Sequence, residues 1–375
     1  MNEMVRSLGS SQPGLSTVGG IDCDLHPASP ATTTLLAYLD DYWRETFVMR
    51  GVDRLSLAMT ASPARAPINV RSDWKAKSGF AGDTLEAIQA QALDPFGTRI
   101  AICNVLHGSM IMHSDDMAAA LCSAVNEWLA REWLDKEPRL RGSIIVSAQN
   151  AELAVTEIEK RAADKRFVQV LILAQNDEPL GRRRYWPIYE AAARNRLPLC
   201  IHAGGSNRHA PTATGWPSFF VEAYVAQASI FESQLLSLIA EGVFHKVPDL
   251  TVVFAESGFT WLPSFFWRAD KTWRGVRAET PWVTEQPSDI VKRHVRFTLQ
   301  PVEAPPEKNA LARTLDHIDC DDILLFSIDY PHAQFEGLNA LSSAFGETLA
   351  KKILIDNPLA TYPRIAADFQ KEVAK

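Results

Sequence analysis

The chain has 375 residues, of which 46% are hydrophobic and 22% charged, a composition typical of a globular protein with a large buried core. Its net charge of −7 provides no basic stripe for a phosphate backbone, so we expect no nucleic-acid partner. The five cysteines form no C-x-x-C pair, so we expect a reducing, cytoplasmic setting rather than a disulfide framework.

The chain begins with residues 1–20, which are rich in small polar residues and lack the apolar region of a signal peptide. We interpret this segment as a flexible tail and residues 21–375 as a single domain. No apolar stretch in the sequence is long enough to cross a bilayer, so we expect no membrane partner.

Eight short apolar runs follow one another along this domain, and amphipathic stretches with helical spacing separate most of them. Alternating strand and helix units of this kind predict an α/β fold, and eight of them favour a parallel (β/α)₈ TIM barrel over an open sheet. The predicted strands are residues 20–26, 99–106, 142–147, 167–174, 198–202, 250–255, 295–300 and 323–329.

Residues 27–98 do not fit a single strand and helix unit, because they contain several prolines and glycines and one helical segment near residues 33–50. We predict that they form a long insertion after strand one. Insertions of this kind often cover an active site as a lid or supply a subunit contact, here the contact of a homodimer.

Polar side chains terminate four of the predicted strands. Asp24 and His26 end the first strand, two residues apart, so both point the same way. His202 ends the fifth strand, Glu256 the sixth and Asp329 the eighth. A barrel gathers the carboxyl ends of its strands at one mouth, where imidazole and carboxylate groups are the expected ligands of a divalent metal such as zinc or manganese. A surface histidine or a helix-capping aspartate explains any one of these residues alone.

Several motifs carry a resemblance to a known family. They are residues 21–27 (IDCDLHP), 197–204 (LPLCIHAG), 254–258 (FAESG), 261–263 (WLP) and 325–332 (LFSIDYPH). Through them most of the chain resembles the amidohydrolase-2 family, a branch of the amidohydrolase superfamily that includes aminocarboxymuconate-semialdehyde decarboxylase and related nonoxidative decarboxylases. The resemblance implies one divalent metal, usually zinc and sometimes manganese, held by Asp24, His26, His202 and Asp329.

The end of strand six departs from the family pattern, because the family's decarboxylases usually carry a histidine where this chain has Glu256. We therefore expect hydrolysis of a small cyclic or aromatic substrate by a metal-activated water, with Asp329 or Glu256 as the general base. The alternatives are nonoxidative decarboxylation of an aromatic or unsaturated acid, in which Glu256 replaces the histidine as proton donor, and a barrel that binds a ligand without turnover. A salt bridge from Glu256 to Arg268 is the structural alternative for this glutamate.

Two further sets of residues are candidates for the site. His332 follows Asp329 by three residues, so it is expected to orient that aspartate or to bind substrate. The candidate substrate contacts lie in the predicted insertion and in the segments after strands two and five: Trp74, His107, Arg208, His209 and Trp216.

Overall fold

The computed structural model describes residues 19–52, 55, 57, 70–76, 79–205, 209–303, 307–333, 335 and 338–373. The predicted tail therefore lies outside the described residues, apart from Gly19 and Gly20, and so does Arg208. No helix in the described part of the chain combines the length and apolar character needed to cross a membrane.

Eight parallel strands form one sheet in which each strand pairs with the next along the chain. They are β1 Ile21–Leu25, β2 Ile100–Cys103, β3 Leu140–Ile145, β4 Phe167–Gln175, β5 Leu199–Gly205, β6 Val252–Ala255, β7 Val295–Thr298 and β8 Leu324–Leu325. Main-chain hydrogen bonds join the last strand to the first: Cys23 N donates to Phe326 O (2.9 Å) and Asp329 N donates to Asp24 O (3.1 Å). The prediction of a (β/α)₈ barrel is confirmed.

Helices connect the strands and continue after the last one. They are α1 Thr32–Leu35, α2 Asp41–Arg50, α3 Leu85–Ile88, α4 Asp115–Leu129, α5 Ala151–Arg161, α6 Trp186–Arg194, α7 Phe220–Val225, α8 Gln227–Ala240, α9 Val243–Lys246, α10 Leu262–Val276, α11 Pro287–His294, α12 Lys308–Ile318, α13 Leu338–Lys351, α14 Asn357–Thr361 and α15 Pro363–Val373. Local sequence sets their starts: Asn150, for example, accepts a hydrogen bond from Leu153 N and so caps α5.

The strands are buried on both faces, as expected where helices cover the outside of a parallel sheet and side chains fill its interior. Phe254 of β6 and Phe297 of β7 pack against each other with ring centroids 5.6 Å apart, and Phe297 also contacts Trp261 beside α10. The outward face of these two strands is therefore apolar.

The insertion after β1 differs from the prediction in one respect. The expected helix over residues 33–50 is two helices, α1 and α2, because Asp40 accepts a hydrogen bond from Trp43 N and starts a new helix there. The segment then returns to the barrel mouth, where Val70 pairs antiparallel with His332. The homodimer contact expected of this insertion stays a prediction.

Candidate metal centre

The carboxyl ends of β1, β5 and β8 bring two aspartates and two histidines into one buried cluster. His26 Nε2 lies 3.1 Å from Asp329 Oδ1 and 3.2 Å from Asp24 Oδ1, and His202 Nε2 lies 3.4 Å from the same Asp24 oxygen. Asp24, His202 and Asp329 are fully buried, and His26 almost so. The structure thus brings together the four residues predicted as metal ligands.

Both histidines are held in a defined orientation by main-chain carbonyls. The Nδ1 atom of His26 donates to Asn104 O (2.9 Å), and that of His202 donates to Ala203 O (2.8 Å). Because a carbonyl only accepts, Nδ1 of each ring carries a proton, and Nε2, which faces the aspartates, is the nitrogen available to a metal. Metal-binding histidines are commonly oriented in this way.

The donor set fits a divalent metal. Oδ2 of Asp24 and Oδ2 of Asp329 are buried and accept no hydrogen bond, and an unpaired buried carboxylate oxygen is costly. Ligand atoms of Asp24, His26 and His202 lie within 4.8 Å of one another, as do those of His26, Asp329 and His332. Two carboxylates with imidazole nitrogens match the preferences of zinc and manganese.

The charges in the cluster depend on one another. Burial alone raises the pKa of Asp24, but His202 and His26 outweigh burial and hold this pKa well below its ordinary value. Burial lowers the pKa of His26, but Asp24 and Asp329 outweigh burial and hold it well above its ordinary value. Burial raises the pKa of Asp329 as well, but His332 and His26 outweigh burial and lower it, so both carboxylates depend on nearby positive charge.

The main chain is strained at two of the strand ends. Glu256 has φ 56° and Asp329 has φ 51°, both in the left-handed region that residues other than glycine rarely adopt. Glu256 N is held by Thr298 Oγ1 (3.0 Å), and Asp329 N by the carbonyl of Asp24. Strain of this kind concentrates at functional sites, where the surrounding structure maintains it.

Glu256 is a buried acid beside the cluster. Burial raises the pKa of this carboxyl, and repulsion from Asp329 raises it further. No ion pair joins Glu256 to Arg268 within the described residues. Arg268 instead lines a groove of about 520 Å³ on the outside of the barrel, together with Glu232. The salt bridge considered for Glu256 is therefore absent, because α10 turns Arg268 away from the barrel mouth.

His332 contacts the cluster directly. Its Nδ1 lies 2.8 Å from Asp329 Oδ1, the oxygen that also faces His26. The rings of His332 and His26 have centroids 5.3 Å apart. His332 is thus placed to orient Asp329, and its expected contact with substrate stays a prediction.

A series of buried polar residues that the sequence analysis did not predict is joined to Asp24 by hydrogen bonds. Asn104, which follows β2, donates from Nδ2 to Asp24 Oδ1 (2.7 Å) and accepts from Ser143 of β3 and Gln169 of β4. Tyr362, between α14 and α15, donates to Gln169 Oε1 (2.9 Å). All five side chains are fully buried. We call Asp24, Asn104, Ser143, Gln169 and Tyr362 the polar chain.

Asp22 is a further residue whose role the sequence analysis missed. Its Oδ1 accepts hydrogen bonds from Asp24 N and Ile328 N, each at 3.1 Å. The pairing of β1 with β2 shifts by one residue between Asp22 and Leu25, which is the geometry of a bulge. Asp22 therefore fixes the main chain that carries Asp24, and the D-x-D spacing in the sequence was the available signal.

The residues predicted to contact substrate occupy different environments. His107 is buried and its Nδ1 lies 2.9 Å from Ser109 Oγ, while Trp74 is buried against Tyr330. Trp216 is 53% exposed and His209 is exposed. Their contacts with substrate stay predictions, as does that of Arg208.

Comparisons with known proteins find similarity to several decarboxylases. Gamma-resorcylate decarboxylase from Polaromonas sp. (strain JS666 / ATCC BAA-500) is 24% identical over 237 residues, which are 60% of this chain and 68% of the relative. The structure of 5-carboxyvanillate decarboxylase LigW from Sphingomonas paucimobilis has a TM-score of 0.67 and 17% identity, and covers 92% of this chain and 99% of its own. The structure of a dihydroxybenzoic acid decarboxylase from Polaromonas sp. JS666, with bound manganese and the inhibitor 2-nitroresorcinol, has a TM-score of 0.60 and 19% identity, and covers 92% and 96%.

The activities named for these three proteins contradict the expectation of hydrolysis, because all three are decarboxylases. That expectation depended on Glu256 in place of a histidine, but a buried glutamate with a raised pKa can also donate a proton. The model of the amidohydrolase family (Amidohydro_2) matches residues 21–364. Since this match spans most of the chain, the protein belongs to the amidohydrolase-2 family.

Proposed function

We propose that this protein is a metal-dependent, nonoxidative decarboxylase of an aromatic acid that carries a hydroxyl group beside the carboxylate. The observation that carries the proposal is a buried cluster of two carboxylates and two imidazoles with a separate buried acid, Glu256, beside it. The named activities of the relatives support the reaction class.

Asp24, His26, His202 and Asp329 are the residues that would hold the metal, which we propose to be manganese. The bound manganese in the dihydroxybenzoic acid decarboxylase supports manganese, and nothing equivalent supports the expected zinc. When bound there, a divalent cation would supply positive charge that attracts the substrate carboxylate and its neighbouring hydroxyl oxygen.

Glu256 is the proposed proton donor. Its carboxyl is buried, and burial together with the nearby charge of Asp329 keeps the pKa raised, which favours the protonated form. The proton moves from Glu256 to the ring carbon that bears the carboxylate. The bond between that carbon and the carboxylate then breaks, its electron pair returns to the ring, and carbon dioxide leaves. Water reprotonates Glu256, and no oxidant or reductant is needed.

His332 and the polar chain have supporting roles in this proposal. His332 holds Asp329 in place through a 2.8 Å contact, and Asn104 does the same for Asp24 at 2.7 Å. Carboxylates that cannot turn would hold the metal at one position beside Glu256, and supporting contacts of this kind strengthen metal binding.

The test is turnover by manganese-loaded protein of 2,6-dihydroxybenzoate, 2-hydroxybenzoate and 5-carboxyvanillate, measured as carbon dioxide release. In deuterium oxide we expect one deuterium at the ring carbon that lost the carboxylate. Metal analysis of the purified protein runs beside it and decides between manganese and zinc. The proposal is rejected if the protein retains no divalent metal, or if it cleaves amides or lactones while releasing no carbon dioxide from these acids.

A further inference from the structure

Gln300 follows β7 and faces the interior of the barrel. Phe297 of this strand packs outward on Trp261, with ring centroids 5.8 Å apart. Leu299 N still donates to Leu325 O, so the chain stays extended beyond the end of β7. Because side chains alternate along an extended chain, Thr298 and Gln300 point the other way, into the barrel.

Two contacts place Gln300 between the strand ends that carry Glu256 and Asp329. Thr298, two residues earlier, accepts a hydrogen bond from Glu256 N (3.0 Å). Gln300 N donates to Ser327 Oγ (3.1 Å), and Ser327 precedes Asp329 by two residues. Gln300 thus lies at the barrel mouth, one strand away from the proposed proton donor and one strand away from a proposed metal ligand.

The carboxamide of Gln300 is buried without a partner for its oxygen. The residue is 5% exposed, and Oε1 accepts no hydrogen bond. Other buried glutamines of the described chain are satisfied: Gln169 bonds to Asn104 and Tyr362, and Gln234 bonds to Leu180 N and Ala174 O. A buried polar atom left unpaired destabilises the fold, so an atom left unpaired at a site mouth indicates a ligand that supplies the missing donor.

We propose that Gln300 binds a second hydroxyl group on the ring of the substrate and thereby selects dihydroxylated over monohydroxylated aromatic acids. This inference rests on the proposed function, because it takes the ring to lie between Glu256 and Asp329. A site that hydrogen-bonds a hydroxyl rejects an analogue that lacks it, since the polar group of the protein is then left unpaired.

The experiment uses two nitroaromatic probes that differ by one hydroxyl group, 2-nitroresorcinol and 2-nitrophenol. Calorimetry measures their dissociation constants with the manganese-loaded protein. We expect the wild type to bind 2-nitroresorcinol about tenfold more tightly, the value of one good hydrogen bond. Gln300→Leu removes the carboxamide at similar size, and we expect it to lose this preference by weakening 2-nitroresorcinol alone.

Two variants serve as controls. Gln300→Met provides a second apolar replacement of the same length in case the leucine variant fails to fold. Gln286→Leu makes the same change at the residue before α11, where the side chain forms no capping hydrogen bond, and we expect it to keep the full preference. Circular dichroism of each variant confirms the fold.

The outcomes separate this inference from the proposed function. The role of Gln300 would be overturned if both Gln300 variants kept the preference for 2-nitroresorcinol. It would also be overturned if the wild type bound the two probes equally or bound neither. The preference could also disappear in these variants while the wild type releases no carbon dioxide from any aromatic acid. That result would support Gln300 as a hydroxyl-binding residue and reject decarboxylation.

Discussion

The two sides of the barrel mouth differ in how their polar groups are satisfied. On the side of β1 to β4, the polar chain bonds each side chain to the next, from Asp24 through Asn104, Ser143 and Gln169 to Tyr362. On the side of β6 to β8, the main chain is strained at Glu256 and Asp329, and the buried amide oxygen of Gln300 has no hydrogen-bond partner.

This difference assigns separate tasks to the two sides. A continuous network of hydrogen bonds holds its members in one arrangement, which suits residues that must orient a metal ligand. Unpaired atoms and left-handed residues are costly unless a ligand or a reaction uses them. We therefore interpret the β1 to β4 side as the support of the metal centre, and the β6 to β8 side, with Glu256 and Gln300, as the surface that binds and protonates the substrate.

The largest effect is expected where the metal ligands themselves are removed. His202→Ala takes away the Nε2 atom that lies 3.4 Å from Asp24 as a proposed metal ligand, so we expect metal content and decarboxylation to fall to background together. Elemental analysis and carbon dioxide release measure the two quantities. His245→Ala, at an exposed histidine in α9, should change neither. A His202→Ala protein with full metal content would remove this residue from the ligand set.

A smaller effect on rate, without loss of metal, is expected at Glu256. Glu256→Gln removes the proposed proton donor and should lower kcat by about 10²- to 10⁴-fold, the usual contribution of general acid catalysis. The wild-type kcat should fall as pH rises through the raised pKa of Glu256, because the protonated form is the active one, and the variant should lack this dependence.

Glu232→Gln is the matched control for Glu256, since burial also raises the pKa of Glu232 but this residue faces the outer groove. We expect it to keep the wild-type rate and pH profile. A Glu256→Gln protein with a wild-type kcat would assign the proton to another group, with His332 the next candidate because of its position beside Asp329.

The sequence predicted the cluster of Asp24, His26, His202 and Asp329 well and the polar residues that support it poorly. Asp24, His202 and Asp329 were found because each ends an apolar run, and the (β/α)₈ fold turns strand ends into neighbours. Ser143 and Gln169 lie inside predicted strands, where an isolated polar residue resembles ordinary variation. Their partners are distant in sequence, since Gln169 bonds to a tyrosine at position 362, and no local pattern encodes such a contact.

Two other features of the structure, the break between α1 and α2 and the role of Gln300, were also not predicted from the sequence. The break between α1 and α2 has a local signal, the helix cap at Asp40, which the helical periodicity of the surrounding residues obscured. Gln300 ends a predicted strand, as His202 and Asp329 do, but a neutral carboxamide does not suggest a metal ligand. Its importance depends on the absence of a partner for Oε1, which only the folded chain reveals.

Breaking the polar chain next to the metal centre should lower metal affinity and leave the rate at saturating metal nearly unchanged. Asn104→Ala removes the 2.7 Å hydrogen bond to Asp24 Oδ1, and loss of such a support costs about 10- to 100-fold in metal affinity. Competition with a chelator gives the affinity. Asn126→Ala is the control, because Asn126 is equally buried and bonded, to Ile145 and Glu157, but lies outside the polar chain.

We expect Asn126→Ala to lower the free energy of unfolding while the metal affinity of the folded protein stays at the wild-type value. If both asparagine variants lose metal to the same extent, the effect is one of general stability, and the distinction between the two sides of the barrel mouth fails.

The smallest effect is expected at the far end of the polar chain. Tyr362→Phe removes only the hydroxyl that donates to Gln169, and Tyr189→Phe removes an equally buried hydroxyl that donates to Leu180 O (2.6 Å) outside the chain. Each variant should lower the free energy of unfolding by about 1 kcal/mol, the net value of one hydrogen bond. Only Tyr362→Phe should also weaken metal binding, by less than Asn104→Ala does, because Gln169 and Asn104 then hold Asp24 less firmly. Equal metal affinities in the two tyrosine variants would confine the support of Asp24 to Asn104 and its immediate partners.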